Sequence, residues 1–357
     1  MVLDLTSSSV ALTREICDFP SVSGDEGPLA DAIEQAVSSY PHLEVIRHGN
    51  TVVARTNLGR AQRVAIAGHI DTVPINANVP TRRVEIDGVD HLWGRGTVDM
   101  KAGVAVQLKL AAELVEPAVD ITWMWYDNEE VEASKNGLGL LAADRPDLFE
   151  ADFAILGEPS DGEVEGGCNG TLRAIVRTRG VRAHAARAWV GENAIHRAAP
   201  ILARLAEYRA REVEVEGLLY RESLSAVRIS GGVAGNVIPD YCEVEINYRF
   251  APSKTAADAE AHIRNVLAGF EVEITDAAEG ARPGLDAEIA RQFVEAVGAE
   301  PRPKYGWTDV ARFSALGVPA VNYGPGDPHL AHHDEERVPL AQIDAVERGL
   351  RAWLSSR

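Results

Sequence analysis

Five short segments of this 357-residue chain carry side chains that could do chemistry, and acidic residues and histidines dominate them. Imidazole nitrogens and carboxylate oxygens in one site suit zinc, with cobalt or manganese as substitutes. The set therefore predicts a metal site. In chain order, the candidate residues are His69 and Asp71, then Asp99, then Glu129 and Glu130, then Glu158, and finally His332 with its neighbour His333.

Most of these segments also have a plain structural explanation when taken alone. The pair His69-Ile70-Asp71 could be a loop histidine and a turn aspartate. Asp99 precedes an apolar, helix-like run and could simply cap a helix. Glu158, in Gly-Glu-Pro, could be an acid in a turn that the proline fixes. The functional interpretation depends on the segments acting together.

The adjacent pairs are more informative than the single residues. Neighbouring carboxylates such as Glu129 and Glu130 repel each other unless a cation or a proton intervenes. Because neighbours point in different directions, one could bind metal while the other faces a reacting water. The alternative is a solvated acidic loop. His332 and His333, followed by three acids, favour a metal site or a pH-sensitive surface, and the alternative is an exposed loop.

A site with two metals would give a role to most of these residues. Two divalent ions about 3.5–4 Å apart need a bridging carboxylate. Asp99 is the candidate bridge, and the remaining ligands divide as two for each metal. Glu129 is then left over as the general base that takes a proton from the attacking water.

The elements that must position these residues follow the same order. Buried, nearly all-apolar strands are predicted at 63–68, 120–126 and 151–157, and each ends directly before a candidate group. A helix is predicted over 100–115, directly after Asp99. In open α/β sheets, sites form at the carboxyl ends of the strands. The sequence therefore predicts an α/β fold whose sheet has one functional edge.

The pattern changes after about residue 171. A strand, a helix, two strands, a helix and a strand follow in turn, which is the order of the ferredoxin-like unit. We therefore expect a catalytic domain formed by residues 1–170 and 284–357, interrupted by a second domain at 171–283. After the insertion, helices are predicted at 285–298, 309–316 and 339–355, with a strand at 319–323.

Composition narrows the functional classes. The formal net charge of −19 argues against binding to nucleic acid or to anionic membranes. The three cysteines form no Cys-x-x-Cys pair, and no apolar run approaches the about 18 residues of a membrane span. The glycine-rich loop before Asp99 lacks the Lys-Ser/Thr ending of a phosphate-binding loop. We expect a cytoplasmic protein.

Together the motifs resemble the M20 family of dinuclear zinc aminoacylases and carboxypeptidases, over essentially the whole chain. The resemblance implies a mixed-sheet, zinc-peptidase-like catalytic domain with two zinc ions. It implies a bridging Asp99 followed by a cis peptide bond, and His332 rather than His333 as the last ligand. The remaining roles it implies are His69 and Glu158 as ligands of one metal, Glu130 and His332 as ligands of the other, Asp71 as the support of His69, and Glu129 as the base.

The same resemblance implies roles in the inserted domain, which it makes a lid and dimerisation domain. His184 matches a histidine that stabilises the oxyanion in the active site of the partner in a homodimer. Asn236 and Arg249 match substrate-binding positions, and an arginine suits a carboxylate. The alternatives are a surface histidine, a turn asparagine and a strand-edge arginine. Substrate carboxylates would also contact the loops that contain Gly306, Thr308 and Gly324.

Within the family, the segments 306–313, 322–327 and 331–338 are most similar to succinyl-diaminopimelate desuccinylases of the actinobacterial type. This implies hydrolysis of N-succinyl-LL-2,6-diaminopimelate to succinate and LL-2,6-diaminopimelate. Two departures, Ala102 in Met-Lys-Ala-Gly and the segment 306–308, weaken the substrate assignment. The alternatives are a related deacylase, such as an acetylornithine deacetylase or an aminoacylase or carboxypeptidase, and a non-catalytic metal-binding relative.

Overall fold

The computed structural model describes residues 3–356, and the chain divides into two compact units. The first unit comprises Met1–Gly166, Pro283–Arg302 and Arg312–Arg357. The second comprises Gly167–Arg282 and Pro303–Ala311. The segment Pro303–Ala311 therefore belongs to the second unit, whereas the sequence prediction placed it with the first.

A mixed eight-stranded sheet forms the centre of the first unit. Its four central strands run parallel, and antiparallel strands flank them. In spatial order the strands are Glu44–His48, Thr51–Arg55, Asp120–Tyr126, Arg63–His69, Phe153–Leu156, Ala320–Asn322, Glu165–Gly166 and Arg302–Pro303. The predicted α/β class with a mixed sheet is confirmed.

Helices cover this sheet, and all seven residues of Asp120–Tyr126 are buried. A strand buried along its whole length needs cover on both faces, which explains why most of its residues are apolar or aromatic. The helices are Ser9–Cys17, Gly27–Val37, Lys101–Glu113, Gly137–Asp144, Glu288–Val297 and Leu340–Ser355, with the short helix Val310–Ala315 at the boundary of the units. Short 3-10 turns occur at Pro146–Phe149 and Pro328–Leu330.

The loop after the sheet strand Arg63–His69 contains a hairpin, formed by Arg82–Ile86 and Val89–Trp93. A third strand, Arg337–Pro339, pairs with the second strand of this hairpin. This pairing places the end of the loop that contains His332 and His333 beside the segment that leads into Asp99.

Side-chain caps mark the start of two helices in the first unit. Ser8 caps the first helix, because its side chain accepts a hydrogen bond from the amide of Ala11. The helix Gly137–Asp144 was not predicted from the sequence, since its two glycines weaken the helical pattern. Asn136 begins it by accepting a hydrogen bond from the amide of Gly139.

The second unit contains a four-stranded antiparallel sheet with two longer helices. In spatial order its strands are Ser223–Gly231, Tyr241–Phe250, Gly170–Arg179 and Val272–Ala278. The helices Ala194–Ala206 and Ala256–Val266 contribute Ile201 and Ile263 to a core shared with the strands. Smaller elements are the hairpin Glu212–Val215 with Leu218–Arg221, the paired strands Ala183–His184 and Val237–Ile238, and the 3-10 turn Ala185–Val190.

Within residues 3–356, the helices are all too short or too polar to cross a membrane.

Candidate metal centre

His69 and Asp71 lie at the carboxyl end of the strand Arg63–His69, and both are buried. The Nδ1 atom of His69 lies 3.1 Å from the backbone oxygen of Asp71 and 3.4 Å from its Oδ1 atom. The opposite ring nitrogen, Nε2, lies 3.0 Å from Oδ1 of Asp99. The imidazole is therefore oriented by Asp71 on one side and faces Asp99 with the other.

Asp99 lies between two histidines that are 263 positions apart in the sequence (332 − 69). Its Oδ1 atom is 3.0 Å from Nε2 of His69, and its Oδ2 atom is 3.2 Å from Nε2 of His332. The helix that follows begins without a side-chain cap, so the capping role does not apply to Asp99. The Asp99–Met100 peptide bond is cis, as the family resemblance implies.

Two groups of ligand atoms converge on the two oxygens of Asp99. In each group the atoms lie within 4.8 Å of one another, close enough to share a metal ion. One group consists of His69, Asp99 and Glu158, and the other of Asp99, Glu130 and His332. Each combines an imidazole nitrogen with carboxylate oxygens, so the donor set fits a divalent ion such as zinc. His69, Glu129 and Glu130 form a third, overlapping group.

Asp71 fixes the backbone of the loop with the paired glutamates. The two carboxylate oxygens of Asp71 accept hydrogen bonds from the amides of Glu129 and Glu130, at 3.0 and 3.1 Å. The hydroxyl of Ser23 donates a further hydrogen bond to Asp71, at 2.7 Å. Asp71 therefore orients His69 and also positions both glutamates, a second role that the sequence did not predict.

A second buried acid supports the same loop. Glu26 is fully buried, and its Oε1 atom accepts hydrogen bonds from the amides of Gly24 and Asn128. Asn128 directly precedes the paired glutamates and has a left-handed backbone, with φ of 58°. His332 also has a positive φ, of 63°. The left-handed conformation is energetically unfavourable for a non-glycine residue, and residues that adopt it occur often at functional sites.

Glu158 follows the buried strand Phe153–Leu156, and its carboxylate lies 3.9 Å from Nε2 of His69. Close backbone packing fixes its position. A Cβ atom at Gly103, in the helix after Asp99, would lie 2.2 Å from the carbonyl oxygen of Gly157. One at Gly324 would lie at the same distance from that oxygen. Gly324, a predicted substrate-binding residue, therefore lies directly against the Glu158 loop.

Glu336 was not among the predicted site residues, although it is fully buried beside Asp99. Its Oε1 atom accepts hydrogen bonds from the amides of Val98 and Asp99, at 2.8 and 3.0 Å. Its Oε2 atom accepts one from the buried guanidinium of Arg95, at 2.9 Å. The acids that follow the two histidines were the available signal, but nothing in the sequence shows which of them turns inward.

The two adjacent histidines have different environments. The Nε2 atom of His332 lies 3.0 Å from Oε1 of Glu130, in addition to its contact with Asp99. The Nδ1 atom of His333 instead accepts a hydrogen bond from the amide of Glu335. Among residues 3–356, only His332 of this pair belongs to a group of metal-ligand atoms.

The acids and histidines change each other's pKa values. Hydrogen bonds with Asp99 and Glu130 raise the pKa of His332 to about 10. Burial alone lowers the pKa of His69, but Asp71 and Asp99 outweigh it and raise that pKa well above its usual value. Burial likewise opposes ionisation of Asp99, yet the two histidines lower its pKa. The centre favours positive charge between its carboxylates, which a metal ion supplies more strongly than a proton.

The other predicted residues lie in the second unit. His184 is exposed, and its Nδ1 atom accepts a hydrogen bond from the amide of Ala186. Asn236 is close to it, since its backbone oxygen accepts a hydrogen bond from the amide of Ala185. Arg249 is half-buried and donates to Asn247.

Burial and the nearby Arg173 lower the pKa of Arg249. In the segment that joins the second unit late in the chain, Gly306 is exposed and Thr308 is buried.

Comparison with known proteins agrees with this architecture. Residues 65–356 match the sequence profile of Peptidase family M20/M25/M40, and the chain belongs to this family. A protein of Mycobacterium tuberculosis is 52% identical over 356 residues, which cover 99% of each chain.

A succinyl-diaminopimelate desuccinylase of Corynebacterium glutamicum is 47% identical over 364 residues, covering 99% of this chain and 98% of that protein. A dinuclear metal binding peptidase of the M20 family from Bacillus subtilis shares the fold. Its structure aligns with a TM-score of 0.70 at 16% identity and covers 97% of this chain and 96% of that one.

Proposed function

We propose that this protein is a metal-dependent amide hydrolase that converts N-succinyl-LL-2,6-diaminopimelate and water to succinate and LL-2,6-diaminopimelate. One observation carries the hydrolase assignment: each carboxylate oxygen of Asp99 faces the Nε2 atom of a different histidine. The substrate assignment rests on the 47% identical desuccinylase of Corynebacterium glutamicum, which matches this chain over 99% of its length.

Two divalent ions, most consistent with zinc, would be bound by the two groups that share Asp99. His69 and Glu158 would complete one site, and Glu130 and His332 the other. The relative from Bacillus subtilis that is described as dinuclear supports this number. When bound, such ions polarise the amide carbonyl and lower the pKa of water.

Glu129 is the residue of this centre that we assign as general base. Its carboxylate lies in the group with His69 and Glu130, yet the two groups built on Asp99 do not require it as a ligand. It would take a proton from the attacking water and deliver it to the nitrogen of the leaving amine. Because Asp71 binds the backbone amide of Glu129, the position of this base is fixed by the same acid that orients His69.

We further propose that the second unit, as a ferredoxin-like lid and dimerisation domain, supplies substrate contacts. Arg249 is half-buried, and burial and the nearby Arg173 lower its pKa, so pairing with a substrate carboxylate would stabilise its charged form. Asn236, Gly306 and Thr308, together with Gly324 of the first unit, are the other proposed contacts.

A homodimer in the cytoplasm completes this proposal, with His184 of the partner subunit stabilising the oxyanion. The edge strand Ser223–Gly231 supports a dimer, because only Leu224 is buried along it and the apolar side chains of Val227 and Ile229 are exposed. Exposed edge strands of this kind readily pair with another chain. Sedimentation of the purified protein at twice the 38.5 kDa chain mass would support the dimer, and a monomer would contradict it.

A panel of substrates tests the proposed reaction. The zinc-loaded protein is assayed with N-succinyl-LL-2,6-diaminopimelate, N-acetylornithine, N-acetyl amino acids and dipeptides. We expect kcat/KM for the succinyl substrate to exceed the others by about 100-fold or more, because a site that binds all carboxylates of this substrate discriminates strongly against compounds that have fewer of them. Preference for an acetyl substrate or a dipeptide would reassign the substrate. Fewer than two metal ions per chain, with no turnover, would overturn the enzyme assignment.

A further inference from the structure

The feature that supports a further inference is the buried carboxylate of Glu336, which the proposed reaction does not use. It is fully buried, and so is its partner Arg95, at 4% exposure. Its Oε1 atom accepts hydrogen bonds from two consecutive backbone amides, that of the proposed bridging residue Asp99 and that of the preceding residue Val98. A buried charge is costly unless it is paired and hydrogen-bonded, and here both conditions are met.

The backbone around Glu336 binds the same segment. The carbonyl oxygen of Glu336 accepts a hydrogen bond from the amide of Gly94, at 2.9 Å. Arg95 donates to the carbonyl oxygen of His333 at 3.3 Å, next to His332. Glu336 and Arg95 thus join the two loops that carry a histidine ligand and the bridging aspartate.

We propose that Glu336 is a positioning residue, which fixes the Asp99 carboxylate between the two metal ions through the amides of Val98 and Asp99. The proposal rests on the function proposed above, since it takes Asp99 to be the bridge. Glu336 itself touches neither the metals nor the substrate. Its effect on metal binding is through the orientation of Asp99.

The physical reason lies in the geometry that a bridge requires. Each oxygen of Asp99 must face a different metal, so a small rotation of its backbone weakens both sites together. Two amide hydrogen bonds from consecutive residues to one oxygen fix that backbone in two places. Groups that orient metal ligands in this way typically change metal affinity or activity by about 10- to 100-fold when they are removed.

Asp120 provides a matched control. It is the first residue of the strand Asp120–Tyr126 and therefore lies at the amino end of the strands of the central sheet. Asp120 is buried, accepts hydrogen bonds from the amides of Leu58 and Arg60 at 2.7 and 2.9 Å, and lies 3.8 Å from Arg63. It therefore combines two amides and an arginine as Glu336 does. Its substitution should cost similar stability without affecting the metals.

The experiment measures zinc affinity by competition with a chromophoric chelator, using the full-length chain. We expect Glu336→Ala to weaken zinc binding by about 100-fold and Glu336→Gln by about 10-fold, because glutamine retains a carbonyl oxygen for the amides. At saturating zinc, kcat should fall while KM stays within about threefold, since no substrate contact is lost. Asp120→Ala and Asp120→Asn should lower the melting temperature and leave zinc affinity unchanged.

Two results would overturn the proposal. One is a Glu336→Ala or Glu336→Gln variant that melts earlier but binds zinc within about threefold of the original protein. The other is an equal loss of zinc affinity in the Asp120 variants, which would indicate general destabilisation. If Glu336→Ala does not fold, Glu336→Gln decides alone. An original protein that binds fewer than two zinc ions would instead reject the proposed function.

Discussion

The carboxyl edge and the amino edge of the central sheet are the two ends of its parallel strands, and the same kind of contact serves a different purpose at each. At both edges, buried carboxylates accept hydrogen bonds from the amides of neighbouring loops, with Asp71 and Glu336 at the carboxyl edge and Asp120 at the amino edge. Such bonds replace the water that a buried backbone amide would lose. A buried carboxylate that binds backbone amides therefore indicates a loop with a fixed conformation, and not by itself a functional site.

Glu336 pairs with an arginine, as Asp120 does, so the difference lies in Asp99, whose amide donates to Glu336. At the amino edge, Asp120 faces Arg63, whose guanidinium stays protonated in proteins. At the carboxyl edge, Asp99 faces His69 and His332, which can release their protons. Only the second arrangement can exchange protons for metal ions. At the carboxyl edge, one carboxylate placed between two histidines therefore marks the candidate metal centre, which buried acids alone do not.

The largest effect is expected from substitution of Glu129, the acid at the carboxyl edge that we assign to the reaction and not to support of the loops. We expect Glu129→Gln to lower kcat by about 10²- to 10⁴-fold, the usual contribution of a general base. The loop should remain in place, because its backbone amide still donates to Asp71. Activity assays combined with metal analysis provide the measurement.

The metal content separates the two roles that Glu129 could have. Two zinc ions per chain in the Glu129→Gln variant, together with the loss of turnover, fit a base. Loss of one zinc ion would show that Glu129 is a ligand and that the base lies elsewhere.

A smaller effect is expected for Asp71, which orients His69 and binds the amides of both glutamates. Asparagine keeps one oxygen but replaces the other with a donor, so one of these amides loses its acceptor. We expect Asp71→Asn to lower kcat and zinc affinity by about 10- to 100-fold. Asp120→Asn is the matched control at the other edge. Comparable losses in both variants would remove the distinction between the edges.

Sequence reasoning was most successful where the structure depends on local patterns. The apolar runs that end before His69 and Asp127 could be read as buried strands, because a strand covered on both faces consists mostly of apolar residues. The order of these strands along the chain then indicated a shared functional edge. That part of the site could be predicted because each ligand directly follows an element with a strong pattern.

The residues that position the ligands could not be predicted in the same way. Glu336 acts on Asp99 across 237 positions, and its neighbours Asp334 and Glu335 are equally acidic but exposed. Which acid turns inward depends on the pairing of Arg337–Pro339 with the hairpin, a contact that no local pattern encodes. Glu26 was missed for the same reason, since its partner Asn128 lies 102 positions away.

The smallest effect expected, about tenfold for each pH unit, is the dependence of zinc affinity on pH, and it tests the difference between the edges most directly. Hydrogen bonds to Asp99 and Glu130 raise the pKa of His332 from its usual 6.5 to about 10, so the metal-free protein keeps this proton at pH 7. His69, also raised, keeps a proton as well. Zinc binds the neutral imidazole, so binding must release these protons.

The sign of the pH dependence follows from these pKa values. A raised histidine pKa stabilises the metal-free fold fully below pH 6.5, and this stabilisation is lost as the pH rises through about 10. The zinc affinity of the site that contains His332 should change in the opposite direction, rising about tenfold per pH unit between these values. Calorimetry in buffers of different ionisation enthalpy should detect about one proton released for each zinc ion. Because Arg63 cannot release a proton at these pH values, Asp120→Asn should leave that number unchanged, and zinc binding without proton release would contradict the assignment of His69 and His332 as ligands.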